Sequence, residues 1–228
     1  YLSSIGIFSP MMRESSFGGV FEDGDKIYTV NSTPGRKVYG EKLIDCGGVE
    51  YREWVSNRSK LAAYFMKGGS FFPFHDDSKV LYLGAASGTT SSHIADIVVK
   101  GTVSCVEFSP RSFRDLVSVC ESRTNMIPIL ADATRPEVYS FVVSSPDIVY
   151  QDIAQKGQAA IFIKNFKAFS AKSGMLVIKS RSEDVSKDPR KIYAAACDEL
   201  TAAGLKVVEL QTLDPFEKDH AMIGVELL

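Results

Sequence analysis

The sequence predicts an α/β protein in two parts. A small antiparallel β unit comes first, followed by an open, mainly parallel sheet of seven strands with helices on both faces and an antiparallel last strand. Three patterns predict this. Up to about Tyr51, short β-prone runs are cut by turn residues with no helical pattern between them. From Lys79 onward, strand and helix patterns alternate, as repeated βα units require. The last two strand patterns, Leu205 to Leu210 and Met222 to Leu227, are only about ten residues apart. That gap is too short for a crossover helix, so the two strands are expected as antiparallel neighbours.

In chain order, Ile5-Gly6-Ile7-Phe8, Lys26-Ile27-Tyr28-Thr29-Val30 and Val49-Glu50-Tyr51 read as strands. Glu22-Asp23-Gly24-Asp25, Thr33-Pro34-Gly35 and Cys46-Gly47-Gly48 read as turns. Ser59 to Met66 reads as a short helix with apolar Leu61, Ala62, Tyr64 and Phe65. Val80 to Leu83 is a buried-strand run ending at Gly84, and a helix follows from about Thr89 to Val98. Thr102 to Phe108 and Ile127 to Leu130 are the next strands, separated by a helix that Ser109-Pro110 opens. Asp147 to Tyr150 is the fourth strand, Gln158 to Phe169 a helix and Met175 to Ile178 the fifth strand. The helix from Pro189 to Ala203 has proline at its start and Gly204 past its end, the expected asymmetry. Residues 1–55 are therefore read as a small N-terminal β domain and 56–228 as the α/β domain.

Composition narrows the function. Hydrophobic residues are 45% and charged residues 24%, an ordinary globular balance. Lys and Arg number 26 against 28 Asp and Glu, a net charge of −2, which disfavours a self-sufficient nucleic-acid binder. The longest uncharged stretch, Val80 to Ala95, is too short and too rich in Gly, Ser and Thr to span a membrane. Cys46, Cys105, Cys120 and Cys197 form no CxxC pair, so neither a metal site nor a disulfide framework is expected and a reducing compartment is the default. No signal peptide is read at the start.

The strongest motif is Leu83-Gly84-Ala85-Ala86-Ser87-Gly88-Thr89-Thr90, between a buried strand and a helix. Small residues let a ligand approach the backbone, and the helix start offers unpaired N–H groups and a positive end. The Gly-x-x-x-Gly spacing differs from the dinucleotide fingerprint, and no Lys follows as in a phosphate-binding Walker loop. The carboxylate of an amino-acid-like cofactor suits it, and a plain tight turn is the competing reading. Glu107, about twenty residues on at a strand end, can accept both hydroxyls of a ribose. Asp132, past the third strand, can accept from an adenine amino group. Three strand ends converging at one sheet edge favour an adenosyl cofactor.

Asp152 follows the fourth strand, Lys179 ends the fifth, His220 opens the seventh and Lys79 precedes the first. A lysine ending a buried apolar strand is costly unless paired or functional. Alone, Lys79 reads as a solvated strand start and His220 as a core or edge histidine. From Lys164 to Lys191 eight basic residues face Glu183, Asp184 and Asp188, a stretch able to guide a phosphate backbone or simply to form a solvated face. Phe71-Phe72-Pro73-Phe74 is either interdomain packing or a partner surface.

With these residues in hand, the chain resembles the fibrillarin family, most closely its short archaeal type. The resemblance rests on Val38-Tyr39-Gly40-Glu41-Lys42, Arg58-Ser59-Lys60-Leu61-Ala62-Ala63, Val80 to Thr90, Glu107-Phe108-Ser109 and Ile127 to Ala133. It continues through Asp152-Ile153-Ala154-Gln155, Lys179-Ser180-Arg181-Ser182 and Pro215 to His220. It implies a seven-stranded Rossmann-like class I methyltransferase fold, S-adenosyl-L-methionine as methyl donor and the ribose 2′-hydroxyl of rRNA or tRNA as acceptor. It implies cofactor contacts along Gly84, Ala86, Ser87, Gly88, Thr89 and Thr90, at Glu107, Phe108, Asp132 and Ala133, and along Asp152, Ile153, Ala154 and Gln155. It also implies a Lys-Asp-Lys-His catalytic set, placed here on Lys79, Asp152, Lys179 and His220.

The implied partners are a Nop5-type scaffold, an L7Ae-type kink-turn binder and a box C/D guide RNA. The implied location is the cytoplasm for an archaeal-type protein, or the nucleolus for a eukaryotic one. The chain departs from the family at Val55-Ser56-Asn57, where Trp-Asn-Pro is common, and at Lys156, where Pro is common. A poor nucleophile such as a 2′-hydroxyl needs a proton acceptor as the bond forms. Lys179 is the first candidate, with Lys79 expected nearby to lower its pKa by like-charge repulsion, and Asp152 is the alternative. The same cofactor site would also permit methylation of a protein glutamine.

Overall fold

The computed structural model describes residues 11–228. Two sheets organise them, and the strand-like run Ile5 to Phe8 lies outside the described residues. The first sheet is antiparallel throughout, in the order β1-β2-β3-β5-β4: β1 (Arg13–Glu14), β2 (Val20–Asp23), β3 (Lys26–Val30), β4 (Leu43–Cys46) and β5 (Val49–Glu53). The β2–β3 hairpin turns at Gly24, whose φ of 63° is left-handed, so the expected turn is shorter than read and Glu22 and Asp23 belong to β2. β2 and β4 went unread because each alternates weakly and lies half-buried.

The second sheet has the order β11-β12-β10-β9-β6-β7-β8. Its parallel strands are β6 (Lys79–Leu83), β7 (Thr102–Glu107), β8 (Met126–Leu130), β9 (Ile148–Gln151) and β10 (Ser173–Lys179). β11 (Leu205–Thr212) and β12 (His220–Leu227) close it as the expected hairpin, β12 lying antiparallel between β10 and β11. The helices are α1 (Lys60–Met66), α2 (Thr89–Ile97), α3 (Pro110–Cys120), α4 (Gln158–Ala168), α5 (Ser180–Glu183) and α6 (Pro189–Ala202). The one-turn α5 was not expected. Ends follow capping chemistry: Ser59 caps α1, Ser109 caps α3 ahead of Pro110, and Asp188 caps α6 by accepting from the Arg190 N–H at 2.9 Å.

The large sheet is buried on both faces, which is why its strands read as continuous apolar runs. Val80 and Tyr82 of β6 face one core cluster, while Leu81 and Leu83 face the other. The first cluster also takes in Phe17, Val20, Ile27 and Trp54 from the N-terminal part. The Phe71–Phe74 segment belongs to this packing: Phe72 stacks on Phe17 at 4.4 Å, and Phe74 is buried.

A buried polar network ties the small sheet to α2. The Arg52 guanidinium, fully buried, donates to Glu41 at 2.8 Å, Asp96 at 2.6 Å and the Ser92 hydroxyl at 3.0 Å. Asp96 also pairs with Arg123 at 3.6 Å and accepts from Ser32. His93 lies between the hydroxyls of Thr29 and Tyr39, both at 2.8 Å, and stacks on Trp54. Burial, with the Arg52 and Arg123 charges, pushes the His93 pKa well below the ordinary histidine value.

Candidate active site

The loop from β6 to α2 is built for close approach. Gly84 has φ of 80°, and a Cβ there would sit 2.5 Å from the Asp152 carbonyl oxygen, so only glycine fits. Gly88, with φ of 93°, is the N-cap of α2 and leaves the first N–H groups of the helix without a side-chain cap. The Ala86 N–H donates to Glu107 at 2.8 Å, and the Ser109 N–H donates to its other carboxylate oxygen at 2.7 Å. Two backbone amides thus aim the Glu107 carboxylate from the end of β7. Past β8, one oxygen of Asp132 accepts from the Thr134 N–H at 2.8 Å, leaving the other for a ligand.

These groups line a cleft of about 340 Å³ at the carboxyl edge of the sheet. Gly84, Ala86, Glu107, Phe108, Asp132 and Ala133 border one part of it. Asp152, Ile153, Ala154, Gln155 and Lys179 border the rest. Phe108 is 72% exposed there, an apolar ring left open beside two acids. The donor and acceptor set fits an adenosyl amino acid. The glycine cradle and bare helix start suit a carboxylate, the Glu107 carboxylate suits vicinal hydroxyls, and the ring of Phe108 suits a base. A larger hollow of about 950 Å³, beside Phe17 and Phe72, is lined by Glu14, His75, Asp76 and Asp96 but by no lysine or arginine.

Not every residue of the loop faces that cleft. Ser87 lines a neighbouring hollow with Arg36, Lys37 and Arg58. Thr89 opens α2, and Thr90 turns inward, where its hydroxyl meets that of Ser59 at 2.8 Å.

A charged cluster centres on Asp152, just past β9. One of its oxygens is 2.7 Å from the Lys179 ammonium and the other 3.2 Å from that of Lys60. Burial opposes the Asp152 charge, but the two lysines outweigh it and hold its carboxyl below the usual carboxylate range. His220 enters through the antiparallel register, which pairs it with Lys179 across β10 and β12. Its Nδ1 donates to the Lys218 carbonyl at 2.6 Å.

Lys79 is not part of this cluster, which corrects the sequence expectation. It is exposed at the start of β6, and the site lies at the opposite end of that strand, about 13 Å away at strand rise. A parallel strand cannot present both its ends at one edge. The second lysine that the structure brings to Asp152 is Lys60, the first residue of α1. Its signal was in the sequence: Ser59-Lys60 is a helix start with the lysine in the first turn, inside the Arg58-Ser59-Lys60 segment. Ser59 fixes it doubly, accepting from the Ala62 N–H and bonding to Thr90. At the other end of α1, the Tyr64 hydroxyl donates to Glu209 of β11, which also accepts from the Ser70 and Phe71 N–H groups.

The basic stretch from Lys164 to Lys191 does not form one patch. It spreads over α4, both ends of β10, α5 and α6, and Lys164, Lys172, Lys179, Arg181 and Lys187 each pair with a carboxylate. Among the described residues, no cluster of three His, Cys, Asp or Glu could hold a metal, and no helix is long and apolar enough to cross a membrane.

Known proteins match this arrangement closely. The model of the Fibrillarin family matches residues 11–227. A fibrillarin-like rRNA/tRNA 2′-O-methyltransferase of Sulfolobus acidocaldarius is 53% identical over 211 residues, 91% of this chain and 91% of that protein. Aeropyrum pernix fibrillarin, in a crystal structure with natively bound S-adenosyl-L-methionine, is 41% identical with a TM-score of 0.86, covering 94% of this chain and 97% of its own. A chain from a fibrillarin/Nop5p complex is 38% identical with a TM-score of 0.87, covering 94% and 100%. A match that runs from the small sheet through the last strand takes in every residue of the cleft and of the lysine cluster: the chain belongs to the fibrillarin family.

Proposed function

We propose that this chain transfers a methyl group from S-adenosyl-L-methionine to the ribose 2′-hydroxyl of rRNA and tRNA. The observation that carries the reading is the Asp152 carboxylate bridging Lys60 and Lys179 at the floor of a cleft suited to an adenosyl amino acid. The names of the matching relatives support the same reaction. When bound, the cofactor supplies a methyl on a sulfonium that carries its own leaving group, so the protein's task is positioning and hydroxyl activation.

Each residue then has a role. The Gly84–Gly88 loop and the start of α2 hold the cofactor carboxylate, Glu107 the ribose hydroxyls, Asp132 the adenine amino group, and Phe108 covers the base. Asp152, held ionised, is a weak proton acceptor and acts as the orienter of both lysines. Lys179, in its neutral form, takes the proton of the 2′-hydroxyl at Nζ. Lys60, 3.2 Å from Asp152, stabilises the oxygen as it becomes anionic. His220, beside Lys179 in the register, flanks the pair at the rim.

The partners proposed are a Nop5-type scaffold, an L7Ae-type kink-turn binder and a box C/D guide RNA that selects the nucleotide. The similarity to the fibrillarin/Nop5p complex supports the scaffold, and the net charge of −2 suits an enzyme whose RNA affinity comes from others. The test is tritium transfer from S-adenosyl-L-methionine to RNA, with the chain alone and in a reconstituted particle. Ribose methylation dependent on the particle is expected. Label found in protein glutamine rather than RNA would overturn the reading.

A further inference from the structure

β10 outruns its parallel neighbour. β9 pairs with it from Ser173↔Ile148 to Leu176↔Gln151 and then leaves the sheet, while β10 continues through Val177 and Ile178 to Lys179. The backbone N–H and C=O of Lys179 on that side would therefore face a missing strand, and unpaired buried peptide groups are costly. One side chain replaces the strand. The Oε1 of Gln158 accepts from the Lys179 N–H at 2.8 Å, and its Nε2 donates to the Lys179 carbonyl at 3.1 Å. The amide thus presents the same acceptor and donor that a neighbouring peptide would.

Gln158 is itself held from several sides. It is fully buried as the first residue of α4. Its N–H and that of Gly157 donate to the two oxygens of Glu183, at 2.7 and 3.0 Å, and its carbonyl accepts from Gln151 at 2.7 Å. Glu183 ends α5, the single turn that Lys179 starts. The segment leaving Lys179 therefore caps α4, and the first residue of α4 clamps Lys179. A lysine side chain is flexible, so its Nζ can be placed 2.7 Å from Asp152 reproducibly only if its backbone is fixed.

We propose that Gln158 is the positioning residue for Lys179: its side-chain amide stands in for the absent strand and sets the methyl-transfer rate without touching cofactor or RNA. The proposal deepens the methyltransferase reading and rests on it for the rate. The experiment uses the full chain with Gln158→Ala and Gln158→Glu, the latter keeping the acceptor for the Lys179 N–H. In the free protein, hydrogen exchange of the Lys179 amide should quicken more than tenfold in Gln158→Ala. The Ile178 amide, on the β12 side of the strand, should stay protected. In the assembled particle, at saturating cofactor and RNA, the single-turnover rate of Gln158→Ala should fall about 10–100-fold, the cost of a misplacement near 1 Å. Cofactor affinity by calorimetry should stay within about twofold, and Gln158→Glu should recover part of the rate.

Unchanged Lys179 exchange, or an unchanged rate, would overturn the proposal, as would a rate loss matched by equal loss of cofactor affinity. If Gln158→Ala does not fold, Gln158→Glu decides: a rate equal to wild type overturns the proposal, and a reduced rate with intact cofactor binding supports it. A wild-type particle that methylates no RNA would instead refute the methyltransferase reading, and the exchange result would still judge the clamp.

Discussion

Two clusters of acids and bases lie within this fold, and they differ in how completely their charges are met. Around Arg52, every charge is fully buried and shared: two carboxylates, Glu41 and Asp96, face two guanidiniums, Arg52 and Arg123, with hydroxyls taking the remaining positions. Around Asp152, one carboxylate serves two ammoniums at the floor of a cleft, each group retaining some exposure. The first arrangement leaves nothing for a ligand and ties the small sheet to α2. The second gains a surplus positive charge once Lys179 has taken up a proton, as the attacking oxygen gains negative charge. Similar side chains thus make a joint in one place and the proposed reaction centre in the other, and what separates them is charge balance and access.

Substitutions should separate the two clusters by readout. The largest effect is expected from Asp152→Asn. Single-turnover methyl transfer should fall about 10²–10⁴-fold, because both lysines lose the group that orients them, while the folded state persists. A rate within a few-fold of wild type in the assembled particle would remove Asp152 from the chemistry. Next is Arg52→Met, which leaves Glu41 without its guanidinium and Asp96 with Arg123 alone in the interior, and should cost about 3–5 kcal/mol in urea denaturation. A loss below about 1 kcal/mol would show that the network carries no load.

The joint should also respond to pH. His93 is held neutral, with its folded pKa depressed below the unfolded value near 6.5. Its stabilising contribution is therefore present above that value and lost as pH falls toward the depressed pKa, because the unfolded state binds the proton first. Stability should decline below about pH 6.5 by up to about 1.4 kcal/mol per pH unit, measured as urea midpoints. His93→Asn should flatten this slope. Equal slopes in the two proteins would place the titrating group elsewhere. The smallest effect is expected from Ser59→Ala, which removes the α1 cap at a cost of about 1 kcal/mol. The same change frees Lys60 from the Thr90 anchor, so the rate should drop more than stability does; a drop in stability alone would make Ser59 a cap and nothing more.

The large sheet was legible because apolar runs, helix caps and the short gap before β12 are local signals that tertiary structure reinforced. The small sheet was only partly legible. Val20–Asp23 and Leu43–Cys46 are short, half-buried strands whose pairing depends on neighbours far along the chain. At the site, Glu107, Asp132, Asp152 and Lys179 were readable since each follows directly from a parallel strand end. Lys60 was not, because α1 belongs to no βα unit and strand order says nothing about where a connecting helix leans. Lys79 was misplaced for the complementary reason: its strand was read correctly, but its position at the strand's start put it at the wrong edge. Gln158 gave no sequence signal, because a gap in a sheet is visible only when both strands have been placed.

The double anchoring of α1 bears on how the protein is made. Lys60 is held through Ser59 to Thr90 and, at the far end of its helix, through Tyr64 to Glu209, while the pairing of Lys179 with His220 needs β12. Glu209 and His220 lie in β11 and β12, the last hairpin of the large sheet, whereas Lys60 is made before any strand of that sheet. The reaction centre therefore closes through contacts of long sequence separation, which form slowly and late. A nascent chain stalled before the final hairpin carries its lysines, its aspartate and its cofactor loop, yet lacks the tether that brings α1 home. Catalytic competence therefore waits on the β11–β12 hairpin, and a chain cut before β11 should not methylate RNA.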